Sequence, residues 1–216
     1  MEAINLITYD VNIIYTSPLR CKKIVNFIDT LEKDSIICLQ GIYNEESMGK
    51  IKELVVATEK YNALNIKIDL GNPDNNGLAI LSPFPIINYK YYIFPIHDDT
   101  FNQYLTAIEK RKKGILYVNL IIPNNTIISV YNLKLQADIK NIISCSEIRM
   151  QQIKFLGRKI NQNIKYLEKF NQLNPDFNLS HHHFVVGNLT IDDGDTLHKY
   201  LTKKLGLLDI SHIDHS

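Results

Sequence analysis

Chemistry in this sequence has to come from a few polar residues that end apolar runs. Asp10 closes Ala3–Val11, a run with strand character. Its carboxylate offers oxygen to a hard cation such as Mg2+, or it is a turn aspartate at a strand end. Lys134 follows the β-rich run Ile127–Leu133, which delivers the ammonium to the rim of a sheet. There it meets an anionic group or runs its stem out to water. Asn188 and Thr190 end the run Phe184–Thr190, and a neutral amide at 188 takes no proton near neutral pH. His181-His182-His183 precede that run, but consecutive strand residues face opposite ways and cannot all converge on one ion. Other carboxylates able to supply oxygen are Glu45, Asp192, Asp193 and Asp195, with Asp214-His215 near the end of the chain.

Composition restricts the partners. At 216 residues the chain fits one domain, 1–216, with enough length to bury a sizeable core. It has 24 basic and 23 acidic residues, so no global field favours nucleic acid. The dense basic cluster Lys110-Arg111-Lys112-Lys113 is either a solvated hairpin tip or a contact for phosphate or a membrane surface. Cys21, Cys38 and Cys145 show neither metal spacing nor an even-numbered disulfide framework. No run approaches the ~18 apolar residues of a membrane span, and no basic segment precedes an apolar core at the start. The expectation is a cytoplasmic chain, with export by another route left open.

The elements that would position these residues follow from periodicity and punctuation. Ser17 caps a helix with Pro18 in its first turn and Leu19, Ile24, Ile28 and Leu31 on one face. A strand follows over Ile36–Gln40, then a helix from about Asn44 to Tyr61 with Met48, Ile51, Leu54 and Val55 as its stripe. Glu45 and Glu46 sit where acids favour that helix's dipole. Ala63–Leu70 and Gly77–Ser82 read as strands, Tyr89–Phe94 as a continuation of the same sheet, and 97–112 as an insertion or long hairpin. Pro123-Asn124-Asn125 joins Ile115–Ile122 to Ile127–Leu133 as a β-hairpin. A long helix runs from Ser146 to about Phe170, with Ile148, Gln152, Phe155, Leu156 and Ile160 at helical spacing, and a short one covers Gly194–Leu205.

Several of these runs share motifs with a known group. Leu133-Lys134-Leu135-Gln136-Ala137, Cys145-Ser146 and Arg149-Met150-Gln151-Gln152 resemble the T-H-L-Q-A, C-S and R-x-x-Q run of bacterial-type neutral sphingomyelinases. Those enzymes belong to the endonuclease/exonuclease/phosphatase superfamily, metal-dependent phosphodiesterases built like deoxyribonuclease I. Gly77–Ser82 with Pro85-Ile86 is similar to the superfamily's G-x-A-I-L-S-x-x-P-I, and Lys113–Tyr117 resembles the K-G-x-x-Y of sphingomyelinases in particular. Leu205–Asp209 is similar to L-G-L-x-D, and His212–His215 to R-I-D-Y/H. The resemblance implies an α+β, four-layer α/β/β/α sandwich lacking the final strands, with the site where the sheet ends meet. Alternating short apolar strands and helices agree with such layers independently.

The same resemblance marks where the catalytic set departs. The family's principal metal-ligand glutamate is Gly41, its strand-end Asn is Asp10, and one His is Lys134. Its water-activating Asp and the following Asn are Asn188 and Thr190. Relatives continue past the R-I-D-Y/H motif to a final Asp-His whose His assists the phosphate chemistry, so this His is expected to be absent, although Asp214-His215 can mimic the dyad. Loss of a general base alone costs about 10²- to 10⁴-fold in rate. The expected function is therefore a sphingomyelinase-like protein without catalysis and without a cofactor, binding a phosphate-containing small molecule, lipid headgroup or protein through Asp10, Lys134 and Asn188. One alternative is a live Mg2+-dependent phosphodiesterase with ligands recruited from Asp10, Glu45, Asp192, Asp193 or Asp195. Another is an interaction fragment with exposed sheet edges that engage a protein.

Overall fold

The computed structural model describes residues 4–13, 17–42, 46–47, 49–51, 53, 67–68, 77–95, 113–138, 144–175, 179–191 and 195–209. Two four-stranded sheets face each other, and helices cover their outer faces. The first sheet has the order β1 (Leu6–Ile13), β2 (Ile36–Ile42), β4 (Ala79–Leu81), β3 (Lys67–Ile68). The second runs β5 (Ile86–Ile93), β6 (Gly114–Ile122), β7 (Thr126–Lys134), β8 (Ser180–Asn188). β1 and β2 are parallel, as are β7 and β8. A parallel pair needs a long crossover, which helix α1 (Pro18–Thr30) supplies in the first case and α2 (Ser146–Leu173) in the second.

Three apolar layers result from alternation along the strands. Ile37 and Leu39 of β2 face α1, where they meet Cys21, Ile24, Val25 and Ile28. Their neighbours Ile36 and Cys38 turn the other way and meet Val118, Leu120 and Val130 between the sheets. The far side of the second sheet, with Tyr117, Tyr131 and Leu133, packs on Ile153, Leu156 and Ile160 of α2. This is the four-layer α/β/β/α arrangement.

Asn132 ties the two sheets through their shared interior. It is fully buried on β7, and its amide nitrogen donates to the carbonyls of Leu39 (3.0 Å) and Ala79 (2.9 Å) in the opposite sheet. Its Oδ1 accepts from Gln40 Nε2 at 2.8 Å. Gln40 also donates to Thr8 Oγ1 and to the Cys38 carbonyl, both at 3.0 Å. A buried amide satisfied this fully specifies how the sheets align, since sliding them would orphan several groups together.

Several sequence expectations change. Tyr89–Phe94 does not continue the first sheet: β5 opens the second, on the far edge from β8. Ser17 caps α1 as expected, yet Leu19 is exposed, because the buried stripe begins one turn in at Cys21. The long helix reaches Leu173, beyond Phe170. Gly194–Leu205 forms a short helix α3 (Thr196–Lys199) that widens into a π-helical turn, Tyr200–Lys204. The histidine run lies inside β8, opposite Ile127, Ile128 and Ser129, so its side chains alternate as expected. The helix expected over Asn44–Tyr61 is described only at 46–47, 49–51 and 53, and the strand over Ala63–Leu70 only at Lys67–Ile68. Segments 97–112 and 210–216 lie outside the described residues.

Asn132→Leu should destabilise the fold by about 2–4 kcal/mol, because it leaves Gln40 and two buried carbonyls short of partners. Urea unfolding measures this. A loss under 1 kcal/mol would show that the sheets align without the amide.

Candidate functional site

The polar cluster sits at one end of the layer between the sheets. On β1, Leu6, Thr8 and Asp10 occupy alternate positions, as do Cys38 and Gln40 on β2. Ile128, Val130, Asn132 and Lys134 do so on β7, and Phe184, Val186 and Asn188 on β8. The apolar members of each series face the interior, and every series passes to polar residues at the same end. The strand pairing then brings the last members together: Asp10 lies opposite Gln40, and Lys134 opposite Asn188.

Asp10 is the centre of the cluster. Lys134 Nζ lies 2.8 Å from its Oδ2 and 3.0 Å from its Oδ1. Asn188 Nδ2 donates to the same Oδ2 at 2.7 Å. Thr190 Oγ1 in turn donates to Asn188 Oδ1 at 2.8 Å, which turns the amide nitrogen toward Asp10. The Lys134 side chain is 15% exposed and that of Asp10 26%, so the pair is shielded without being sealed. Lys134 therefore meets an anion instead of snorkelling to water. The four residues Asp10, Lys134, Asn188 and Thr190 are brought together, as the resemblance implied.

Gly41 shapes this cluster by lacking a side chain. Its φ is +79°, a left-handed conformation that a β-carbon disfavours. A Cβ built there would stand 2.7 Å from Asp10 Oδ1 and 2.8 Å from both the N and the Cα of Asn12. The β1–β2 register shifts between Asp10 and Ile13, with Asn12 at φ 44°. A bulge in β1 thus fills the space that a side chain at 41 would take.

These residues do not fit a divalent cation. Both Asp10 oxygens are already held, position 41 has neither donor nor room, and an ammonium sits against the one carboxylate of the cluster. A dication a few ångströms from that ammonium would be opposed by several kcal/mol, on the order of Coulomb repulsion near a protein surface. Among the described residues, no three His, Cys, Asp or Glu side chains are grouped to hold a metal. Of the alternative ligands, Asp195 caps α3 by accepting from the Leu197 backbone N–H. Glu45, Asp192, Asp193 and His215 lie outside the described residues.

The remaining shared motifs hold the loop after β7. Arg149 Nη1 donates to the Gln136 carbonyl (3.1 Å) and to Asp138 Oδ1 (2.8 Å). Gln152 Oε1 accepts from the Gln136 backbone N–H at 3.0 Å, and Asp138 Oδ1 also accepts from the Cys145 N–H at 2.7 Å. The guanidinium, followed by the Cys145 N–H, holds the Asp138 carboxyl below the usual carboxylate range. At the other end, His198 Nε2 lies 2.9 Å from Asp209 Oδ2, so the aspartate of the L-G-L-L-D run secures α3. Sequence reasoning missed Asn132 and Asp138. Asn132 was nonetheless detectable as a polar residue in phase with Ile128 and Val130.

Comparison with known structures identifies the architecture. The fold is similar to beta toxin from Staphylococcus aureus, at 15% identity and TM-score 0.67 over 96% of this chain and 73% of that one. It is similar to sphingomyelinase C from Streptomyces griseocarneus, at 14% identity and TM-score 0.65, covering 97% and 72%. A humanised D. rerio TDP2 matches at 13% identity and TM-score 0.60, covering 96% and 72%. No protein-family model matches the sequence, and no curated protein sequence matches it significantly. At this identity the likeness establishes the fold alone: the chain has the deoxyribonuclease I-like sandwich.

Gly41→Ala should cost about 2–4 kcal/mol, from the φ strain and the displacement of Asp10. Thermal unfolding tests it, and an unchanged midpoint would contradict the packing described. The Asp138 clamp has a signed pH dependence. Its folded pKa is depressed, so its stabilisation is complete above the unfolded value of about 3.9 and fades as pH falls through the folded one. Asp138→Asn should therefore flatten the acid limb of the stability profile, and parallel limbs for the two proteins would refute the assignment.

Proposed function

We propose that this chain binds a phosphate-containing ligand at the Asp10–Lys134–Asn188 site and does not hydrolyse it. The carrying observation is the Lys134 ammonium bridging both oxygens of Asp10, where a magnesium site would need a free carboxylate. Among the structural relatives, a beta toxin variant from Staphylococcus aureus has bound magnesium ions. Here a fixed cation of the chain itself neutralises Asp10, and Gly41 supplies no further ligand.

Hydrolysis of a phosphodiester on this fold would require a water made nucleophilic and charge stabilisation on the leaving oxygen. Asn188 cannot accept the proton from water. Its nitrogen, turned to Asp10 by Thr190, is a donor, the polarity suited to a phosphate oxygen. Lys134 is a second donor with a full charge, since an ammonium binds phosphate as a point charge. A phosphate entering the cluster shares that ammonium with Asp10. Affinity is accordingly set by competition between the two anions.

Calorimetric titration with phosphocholine as the probe, and assays with sphingomyelin and bis(p-nitrophenyl) phosphate in Mg2+, test the reading. The expected results are weak phosphocholine binding, lost in Lys134→Ala and at least about tenfold tighter in Asp10→Asn, where the competing carboxylate is gone. No cleavage and no heat of Mg2+ binding are expected. Cleavage stimulated by Mg2+ and abolished by Asp10→Ala would falsify the proposal and favour a live phosphodiesterase.

A further inference from the structure

Helix α2 has a second working face, directed away from the sheet it covers. Its 28 residues include six basic and two acidic side chains, a net +4 in a chain of net charge +1, so the rest of the chain carries −3. At about 100° per residue, Lys154, Arg158, Lys165 and Lys169 fall within an arc of roughly 60°. The buried residues Ile153, Leu156, Ile160 and Leu167 fall on the opposite side. All four basic side chains are exposed, and none is ion-paired among the described residues. Charge of one sign is thus concentrated along a straight line over about 22 Å of helix.

Beside this stripe lie two large apolar side chains with no cover among the described residues. Tyr166 is 66% exposed and Leu173 71%, and their seven-residue spacing stacks them on one shoulder of the helix. Lys159, seven residues before Tyr166, begins the same row, its ammonium 4.9 Å from the centre of the Tyr92 ring and 5.2 Å from that of Phe155. A stripe of cations with an apolar ridge along one side is the pattern of a helix that lies in the headgroup region of a bilayer. Duplex or single-stranded nucleic acid would use the charges, but it gains nothing from an exposed leucine.

We propose that the outer face of α2 docks this protein on an anionic lipid surface. The cations engage lipid headgroups, and Tyr166 and Leu173 enter the boundary with the acyl chains. This surface is separate from the Asp10–Lys134 cluster, and its test does not depend on what that cluster binds.

The test is sedimentation of the whole chain with phosphatidylcholine vesicles, with and without phosphatidylserine, at low and high salt. Binding is expected only to the phosphatidylserine vesicles and should fall as salt screens the stripe. With each basic residue near such a surface contributing about fivefold, the double variant Lys165→Gln/Lys169→Gln should bind about 25-fold more weakly. Tyr166→Ala/Leu173→Ala should weaken binding about tenfold. All four positions are exposed, so unchanged circular dichroism and melting are expected for both variants. Absence of binding to anionic vesicles by the folded wild-type chain overturns the proposal. Equal binding to neutral vesicles, or an undiminished Lys165→Gln/Lys169→Gln variant, overturns it too. Capture of an oligonucleotide or self-association through this face without vesicle binding would assign the face to a different partner.

Discussion

An ammonium held between the two oxygens of one carboxylate is the contact on which the polar end of this sandwich depends. Lys134 comes from the second sheet and Asp10 from the first, so the pair bonds the sheets as well as neutralising each charge. Below it, Gln40 and Asn132 repeat the same cross-sheet connection with neutral amides. The interior between the sheets is therefore apolar along most of its length and closed at one end by two tiers of polar contacts. Removing one member of a shielded ion pair leaves the other charge without compensation, at a cost larger than the pair's net contribution. The contact is for that reason more a constraint on arrangement than a source of stability.

The departures from the phosphodiesterase pattern are mutually adjusted. Gly41 leaves room for Asp10 and for the bulge at Asn12, Asp10 pairs with Lys134, and Asn188 donates to Asp10 while accepting from Thr190. An aspartate at 188 would place a second carboxylate 2.7 Å from the first where an amide now donates, and like charges so close cannot both ionise. A glutamate at 41 would strike both Asp10 and the backbone of Asn12. Reverting one residue at a time would thus create a clash or an unpaired charge. Unconstrained decay of a gene product would not be expected to leave every polar member with a partner.

Much of this was legible in the sequence. The β-rich run Ile127–Leu133 and the strand-loop-helix order placed Lys134 at a sheet end, and the order of the family motifs implied which strand ends converge. The departures at Gly41, Lys134, Asn188 and Thr190 were likewise readable from the chain alone. What could not be read was how the backbone responds. Gly41 appeared as a missing ligand, whereas its φ of +79° and the bulge at Asn12 make it a packing requirement. The assignment of Tyr89–Phe94 to the first sheet failed because alternation reports which faces are buried, not which sheet a strand joins. Asn132 went unweighed because its importance lies in carbonyls of residues 39 and 79, distant in sequence.

Helix α2 shows how one element can serve two surfaces without compromise. Its first turns point Arg149 and Gln152 inward, fastening the loop that follows Lys134, and its buried stripe covers the second sheet. A helix presents only about a third of its circumference to a flat sheet, so the opposite arc is unconstrained by the core. Polar residues of any charge would keep that arc soluble, and solubility alone predicts a mixture of signs. Between Lys154 and Lys169 the outer arc instead carries one sign, with Tyr166 and Leu173 exposed beside it. Neither packing nor solubility requires that combination, and the proposed docking on an anionic lipid surface accounts for it.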